Sequence, residues 1–355
     1  MITYSVTMGI TLLTYLFMTH STQDTKRISR ITITVFFVMY LFLLCFRDST
    51  VGVDTGFYVN ILFKQIQFLS WPELVNIKNM ELGFTYLTKL ISYFGSMQIF
   101  IGSIAILSVV PVMYLYRNES EDAILCCSFF LISLLFEIYF SGMRQGVALG
   151  LSVPAYYFAR KSKLIPFLLM VLIAVSFHTS ALIIALIFPV YHAKITKKWL
   201  WFVIPLMVLF YSFKSSLFDY LLKNIQNDYT VKYEYLTTNF SGQIGLMTLF
   251  VLISLYSFFM LDETIANEDD IGLRNLLLLC TAIQFFTPLH PVVSRLNYYF
   301  ILFIPVTLSR VNLKCQTRYR PISMMASFEM SIFFIFYFFF LKDDTLQISS
   351  YRFFF

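Results

Sequence analysis

The stretch from Phe136 to Leu182, FEIYFSGMRQGVALGLSVPAYYFARKSKLIPFLLMVLIAVSFHTSAL, decides how this chain is built. It holds two apolar segments, 143–159 and 164–177, joined by the basic turn Arg160-Lys161-Ser162-Lys163. Each carries a polar group where hydrocarbon tolerates none without a partner. Arg144 and Gln145 stand at the head of the first helix, just after Ser141-Gly142. His178 stands at the tail of the second, inside Phe177-His178-Thr179-Ser180. With the basic turn on the cytoplasmic side, Arg144 and His178 return to the same, outer side of the membrane. The remaining chain is read as organised about that meeting point.

Working outward, 58% of the 355 residues are hydrophobic and 13% charged, with 41 Phe, 23 Tyr and a mean hydropathy of +0.74. A soluble chain of this length has no use for so much apolar surface, so the class is an all-α polytopic membrane protein. A transmembrane barrel requires short alternating segments, and the runs here are long and unbroken. Met1-Ile2-Thr3-Tyr4 lacks the charged start and small-residue cleavage site of a removable signal peptide, so the first segment is expected to stay as a helix. Cys45, Cys126, Cys127, Cys280 and Cys315 lie in apolar runs or a basic loop, without metal-ligand spacing or a disulfide framework. The net charge of +6 is spread over loops, which speaks for membrane topology and against nucleic acid as a partner.

The apolar runs are 3–19, 31–46, 97–116, 123–140, 143–159, 164–177, 179–192, 199–217, 244–261, 272–287, 295–309 and 322–341. They predict about twelve transmembrane helices, roughly ten to fourteen, several shorter than the usual ~20 residues. The break at His178-Thr179 reads either as a boundary between two spans or as a kink in one re-entrant element. Without repeat, linker or soluble insert, 1–355 is read as a single integral membrane domain. The Phe-rich run Phe333 to Phe340 is taken as lipid-facing. Lys26, Arg27 and Arg30; Arg117; Arg160, Lys161 and Lys163; Lys194, Lys197 and Lys198; and Arg310, Lys314, Arg318 and Arg320 cluster in short alternate loops, which places both termini outside. The acidic loop Asp262 to Asp270 fits this poorly, since it falls on the cytoplasmic side. Two longer loops, 47–96 with an interfacial helix and 218–243, are then extracytoplasmic.

The motifs that carry chemistry all fall on the outer face. They are Arg47…Gly52-Val53-Asp54-Thr55…Tyr58, Glu81-x-Gly83-Phe84, Ser141-Gly-Met-Arg144-Gln145-Gly146-x-Ala148, Phe177-His178-x-Ser180-Ala181-Leu182, Arg295-x-x-x-Tyr299-Phe300 and Tyr351-Arg352-Phe353. In this order, over nearly the whole chain, they resemble the EpsG family of bacterial polysaccharide polymerases, relatives of the Wzy-type O-antigen polymerases. One departure is Gly52-Val53-Asp54, where the family has glycine-threonine-aspartate.

The resemblance implies a GT-C-like membrane glycosyltransferase of the bacterial plasma membrane, its active site facing outward. It would move a growing glycan from undecaprenyl pyrophosphate onto the next lipid-linked repeat unit. Partners would be undecaprenyl-pyrophosphate-linked glycans, membrane lipids and a chain-length regulator, with no cofactor. Guanidinium groups suit a leaving pyrophosphate because they grip its oxygens in pairs and stay charged. Arg144, Arg295 and Arg47 are the candidates, in that order. The attacking hydroxyl needs a base. Imidazole accepts a proton near neutral pH, which nominates His178, with Asp54, Asp48 or Glu137 as alternatives. Tyr58, Tyr299 and Trp71 offer aromatic platforms for sugar rings, with Gln145, Glu81 and His290 as polar contacts. No metal is assigned, because Asp48, Asp54 and a histidine are too loosely spaced.

Plainer roles stand beside these. An arginine at a helix end also snorkels to lipid phosphates, a lone histidine also packs, Arg47 and Asp48 also fit a loop salt bridge, and His290 between two prolines also shapes a turn. A flippase, an O-antigen ligase and a membrane acyltransferase compete with polymerisation. The flippase should show two related halves with broken helices, and no such internal symmetry is visible.

Overall fold

The computed structural model describes residues 2–196, 240–287, 291–341 and 346–355, together with Lys198, Pro205 and Asp344. The span expected at 199–217, nearly all of the loop 218–243, and His290 lie outside the described residues. The described chain is helical, with no strand beyond the isolated bridges Arg47–Phe353 and Leu261–Cys315. Among the described residues three helices, Thr25–Cys45, Met97–Glu119 and Thr317–Phe340, are long and apolar enough to cross a membrane, and the bent pair Ala123–Ile132 and Leu134–Ser141 adds a fourth. The chain is built to be embedded in a membrane. It divides into two compact units, Met1–Ala185 with Pro321–Phe355, and Leu186–Arg320.

In the first unit α1 (Ile2–Ser21) and α2 (Thr25–Cys45) form a hairpin, and the Asp24 carboxylate caps α2 by accepting from the Arg27 amide. The 57–68 segment then runs as a short π-helix, Phe57–Phe63, continued by α3 (Lys64–Phe68). α4 (Leu82–Ser92) follows, then α5 (Met97–Glu119), α6 (Ala123–Ile132), α7 (Leu134–Ser141), α8 (Met143–Arg160) and α9 (Leu164–Phe177). α6 and α7 meet at Ser133 with a 58° bend.

The contacts sort this unit into two ends. At one, Tyr4 donates to the Ile348 carbonyl, the tail pairs with the 46–48 backbone, and Gln98 donates to the Cys45 carbonyl. At the other, Ser29 donates to the Ser120 carbonyl, Ser327 to Asp122, and Arg160 pairs with Glu119 at 2.7 Å. The basic loops with Lys26, Arg27, Arg30, Arg117, Arg160, Lys161 and Lys163 gather at this second end, as the alternation of charge along the sequence requires.

Aromatic rings fill the space between helices. Phe36, Phe37, Tyr40, Phe130 and Phe136 meet mostly edge to face or tilted, at 4.9–6.4 Å. Tyr4 sets its ring against Phe136, Phe140 and Phe338. This corrects the reading of Phe333 to Phe340 as lipid-facing throughout: Phe334 and Phe338, four residues apart, are buried, while Phe333, Phe336 and Phe340 are exposed.

The 57–94 segment packs over the first end of the bundle. Tyr58, Phe63, Phe84 and Ile91 join Phe100, Ile104, Met143 and Val147 in one apolar cluster. Lys89, only 6% exposed, satisfies the last carbonyls of α3 as its ammonium donates to Ile66 and Gln67. Trp71, Tyr86 and Tyr93 group at the outer surface, as aromatics do where a protein meets an interface. Within this segment α4 is amphipathic, with Phe84, Thr88 and Ile91 turned inward and Leu82, Tyr86 and Leu90 outward.

In the second unit the acidic loop finds its explanation. Asp270 is buried and holds Lys314 at 2.5 Å and Arg310 at 3.3 Å, while Glu263 holds the buried Arg274 at 2.9 Å. The Asp262 amide donates to the Lys314 carbonyl, so the acidic and basic loops lie side by side as mutual neutralisers.

Candidate functional site

At the first end of unit 1, three segments far apart in sequence bring charged side chains into contact. Arg144 is the second residue of α8, where the helix dipole disfavours a cation. Glu81 offsets that cost. This residue caps the start of α4, and its Oε2 accepts from Arg144 Nη1 at 2.5 Å. Its other oxygen, Oε1, lies 3.1 Å from His178 Nδ1 and accepts from the Thr179 amide at 3.2 Å. The side chains of Glu81, His178 and Arg144 are 13%, 14% and 21% exposed, so the cluster is sheltered yet reachable.

Arg144 is held from two further directions. Its Nε donates to the Tyr58 hydroxyl at 2.9 Å, and Nη1 also donates to the Asn79 carbonyl at 3.1 Å. Asn79 turns its carbonyl there through a left-handed backbone, φ 63°, which asparagine tolerates well. Nη2 is left without a partner among the described residues.

Burial pushes the Glu81 carboxyl upward, but the hydrogen bond from His178 and the charge of Arg144 outweigh it and hold it at about 2. Glu81 is therefore an ionised acceptor at neutral pH. His178 Nδ1 must carry the proton it shares with that carboxylate, and this tautomer leaves Nε2 as the proton-accepting nitrogen.

The local folding that makes this contact is specific. A Cβ on Gly83 would run into the Ser176 hydroxyl and carbonyl, so only glycine lets α4 approach the end of α9 closely enough for Glu81 to reach His178. The loop before Tyr58 is anchored as well. Gly52, at φ +92°, sits against the Phe140 carbonyl. Thr55 donates to that same carbonyl at 2.7 Å, closing the open end of α7. Ser141 Oγ accepts from the Asp54 amide at 3.1 Å. A hydroxyl thus docks this loop from position 55, two residues after the place where the resemblance puts the family's threonine.

Of the residues expected at the site, Arg144, His178, Glu81 and Tyr58 are brought together. Gln145 is buried beside Arg144 along α8. Arg47 takes no part in this cluster. It is 2% exposed, donates to the Leu44 carbonyl at 3.1 Å and lies over the Phe140 ring at 5.5 Å, with Nε unpartnered among the described residues. Asp48 does not pair with it. Instead Asp48 folds onto Thr50, accepting from its amide and hydroxyl, and those bonds hold its carboxyl below the usual carboxylate range. The Asp54 side chain is exposed, and Glu137 is buried in α7. Arg295 and Tyr299 belong to the helix Pro291–Ile301 of the second unit, where Tyr299 is fully buried.

Two grooves flank the 57–68 segment. One, of 580 Å³, is lined by Phe57, Gln65, Leu69, Ile77, Lys78 and Met80 among others. Phe57 adjoins Tyr58, and Met80 stands between Asn79 and Glu81, so its walls continue into the ligands of Arg144. The second, of 540 Å³, lies along the other face of the segment.

Glu81 as the shared carboxylate, Asn79 as a carbonyl ligand and Gly83 as the close-approach residue were not assigned these roles by sequence reasoning. The signal was present in the short run Asn79-Met80-Glu81-Leu82-Gly83, a turn residue, an acid and a glycine at the start of an amphipathic helix.

Comparison with curated proteins and with solved structures yields no match. The model of the EpsG family, a family associated with polysaccharide polymerase-like proteins, matches residues 30–353. With nearly all of its length matched, this chain belongs to the EpsG family.

Proposed function

We propose that this protein polymerises lipid-linked oligosaccharide repeat units, transferring the growing glycan from undecaprenyl pyrophosphate to a hydroxyl of the next repeat at the outer face of the bacterial plasma membrane. On this reading it is a GT-C-like glycosyltransferase of about twelve spans. The observation that carries it is the Arg144–Glu81–His178 contact, which unites a guanidinium, a carboxylate and an imidazole from three distant segments.

The chemistry follows from that geometry. The acceptor hydroxyl attacks the anomeric carbon, its oxygen forms the new glycosidic bond, and the bond from that carbon to the pyrophosphate oxygen breaks. His178 Nε2 takes the hydroxyl proton, while Nδ1–H stays on Glu81, which stabilises the imidazolium as it forms. The leaving pyrophosphate carries away the electron pair, and Arg144 neutralises it through its unpartnered Nη2 and the exposed side of its guanidinium. Tyr58 and Asn79 keep the guanidinium from swinging away between turnovers.

The test is the surface-glycan ladder of cells whose own copy is replaced by Arg144→Ala or His178→Ala. A polymerase defect leaves chains of a single repeat. A ligase defect leaves none, and loss of an acyltransferase leaves full ladders. Wild-type ladders with both variants would remove the proposal.

A further inference from the structure

The 540 Å³ groove has a composition that the Arg144 centre does not account for. Its polar lining includes Asp48, Asn60, Lys64, Gln67 and Gln98, and Phe354 of the C-terminal tail closes one side. Asn60, Lys64 and Gln67 follow one another at i, i+4 and i+7, so they form a single helical row roughly 10 Å long. Among the described residues the Lys64 ammonium makes no ion pair and the side-chain amide of Gln67 no hydrogen bond. Asn60 spends one amide proton on Ser49, at 3.3 Å, and Gln98 donates to the Cys45 carbonyl, which leaves their oxygens as acceptors. Phe354 is held in place by its amide donating to the Phe46 carbonyl and by its ring stacking on Phe46 at 6.1 Å.

We infer that this groove is a saccharide-binding subsite that holds a short segment of the glycan chain. Side-chain amides and a carboxylate match the vicinal hydroxyls of a pyranose, which both donate and accept. The lysine serves hydroxyl oxygens or an acidic sugar substituent. The apolar C–H face of a sugar ring fits the exposed Phe354 ring. The groove also has the size of an ordinary ligand cleft. The segment bearing Asn60, Lys64 and Gln67 also carries Tyr58, which holds Arg144.

This inference rests on reading the Arg144 centre as the site of glycan transfer. The experiment uses the full-length protein in lipid nanodiscs. The probe is a two-repeat oligosaccharide cut from the native surface polysaccharide, with binding followed by calorimetric titration. The double substitution Asn60→Ala/Gln67→Ala raises Kd about tenfold, and Lys64→Ala alone raises it severalfold. Both variants keep the wild-type helical circular dichroism, since the residues face solvent. An unchanged Kd in both variants, or no binding by the wild-type protein, overturns the subsite. If Arg144→Ala abolishes polymer in cells while the groove variants bind normally, the subsite falls alone. If Arg144→Ala leaves the polymer intact, the transfer reading itself falls.

Discussion

Replacing Glu81 by glutamine keeps the shape of the side chain and removes the charge shared by Arg144 and His178. The carboxyl of Glu81 sits at about 2 against an ordinary 4.5. That difference corresponds to about 3 kcal/mol in favour of the ionised form in the folded protein. The carboxyl still meets solvent at the mouth of the cluster, and screening there lowers the contribution to about 2 kcal/mol. Because the folded value lies below the unfolded one, the contribution is complete above about pH 4.5 and is lost as pH falls toward about 2. Glu81→Gln is therefore expected to unfold about 2 kcal/mol more easily than wild type at neutral pH, with the gap shrinking steadily below about pH 4.5. Chemical unfolding of the purified protein in detergent, from neutral pH down to about pH 3, reads both effects. Equal stability at neutral pH would refute the argument, and so would a gap that stays constant on acidification. The same variant is expected to leave single-repeat glycans, because Arg144 and His178 lose their common anchor.

Four other expectations follow from individual contacts. Arg144→Lys keeps the charge but loses the Nε bond to Tyr58 and the planar fork, so long-chain glycan should fall at least about tenfold on a ladder gel. Gly83→Val forces α4 off Ser176 and should lower stability by about 3 kcal/mol or more in the same unfolding assay, with polymer lost as Glu81 leaves His178. Thr55→Val leaves the buried Phe140 carbonyl with one bond fewer and should cost about 1 kcal/mol while polymer persists. Asp270→Asn strands Lys314 and Arg310, and it should cost about 2 kcal/mol after allowing for water at those half-buried cations.

Much of this protein is written locally in its chain. Long apolar runs can satisfy their backbone in lipid only as helices, so composition alone settles a helical membrane protein. Lysine and arginine spacing separates the two ends of the first unit, because desolvating those charges in hydrocarbon is too costly for them to lie anywhere else. The meeting of Arg144 with His178 was likewise legible, since two antiparallel helices joined by a short turn return to one end.

What the chain order did not reveal is who stands between them. Glu81 looked like a sugar contact, and Asp48, Asp54 and Glu137 looked like the acids that matter. Contacts across 63 and 97 residues select Glu81 instead, because Gly83 removes the one Cβ that would keep α4 from α9. Arg47 shows the converse. Its sequence context promised a ligand-binding cation, yet packing turns it inward over Phe140 beneath the paired C-terminal tail. Which face of Phe333 to Phe340 meets lipid was equally invisible locally, since an aromatic run broken only by Ile335 carries no clear periodicity until a neighbour such as Tyr4 covers one side. Sequence determined that the helices form and where their ends point, because those are properties of single segments and their solvent. Tertiary structure alone decided which polar side chains are paired, because a buried charge is stable only beside a partner that packing brings to it.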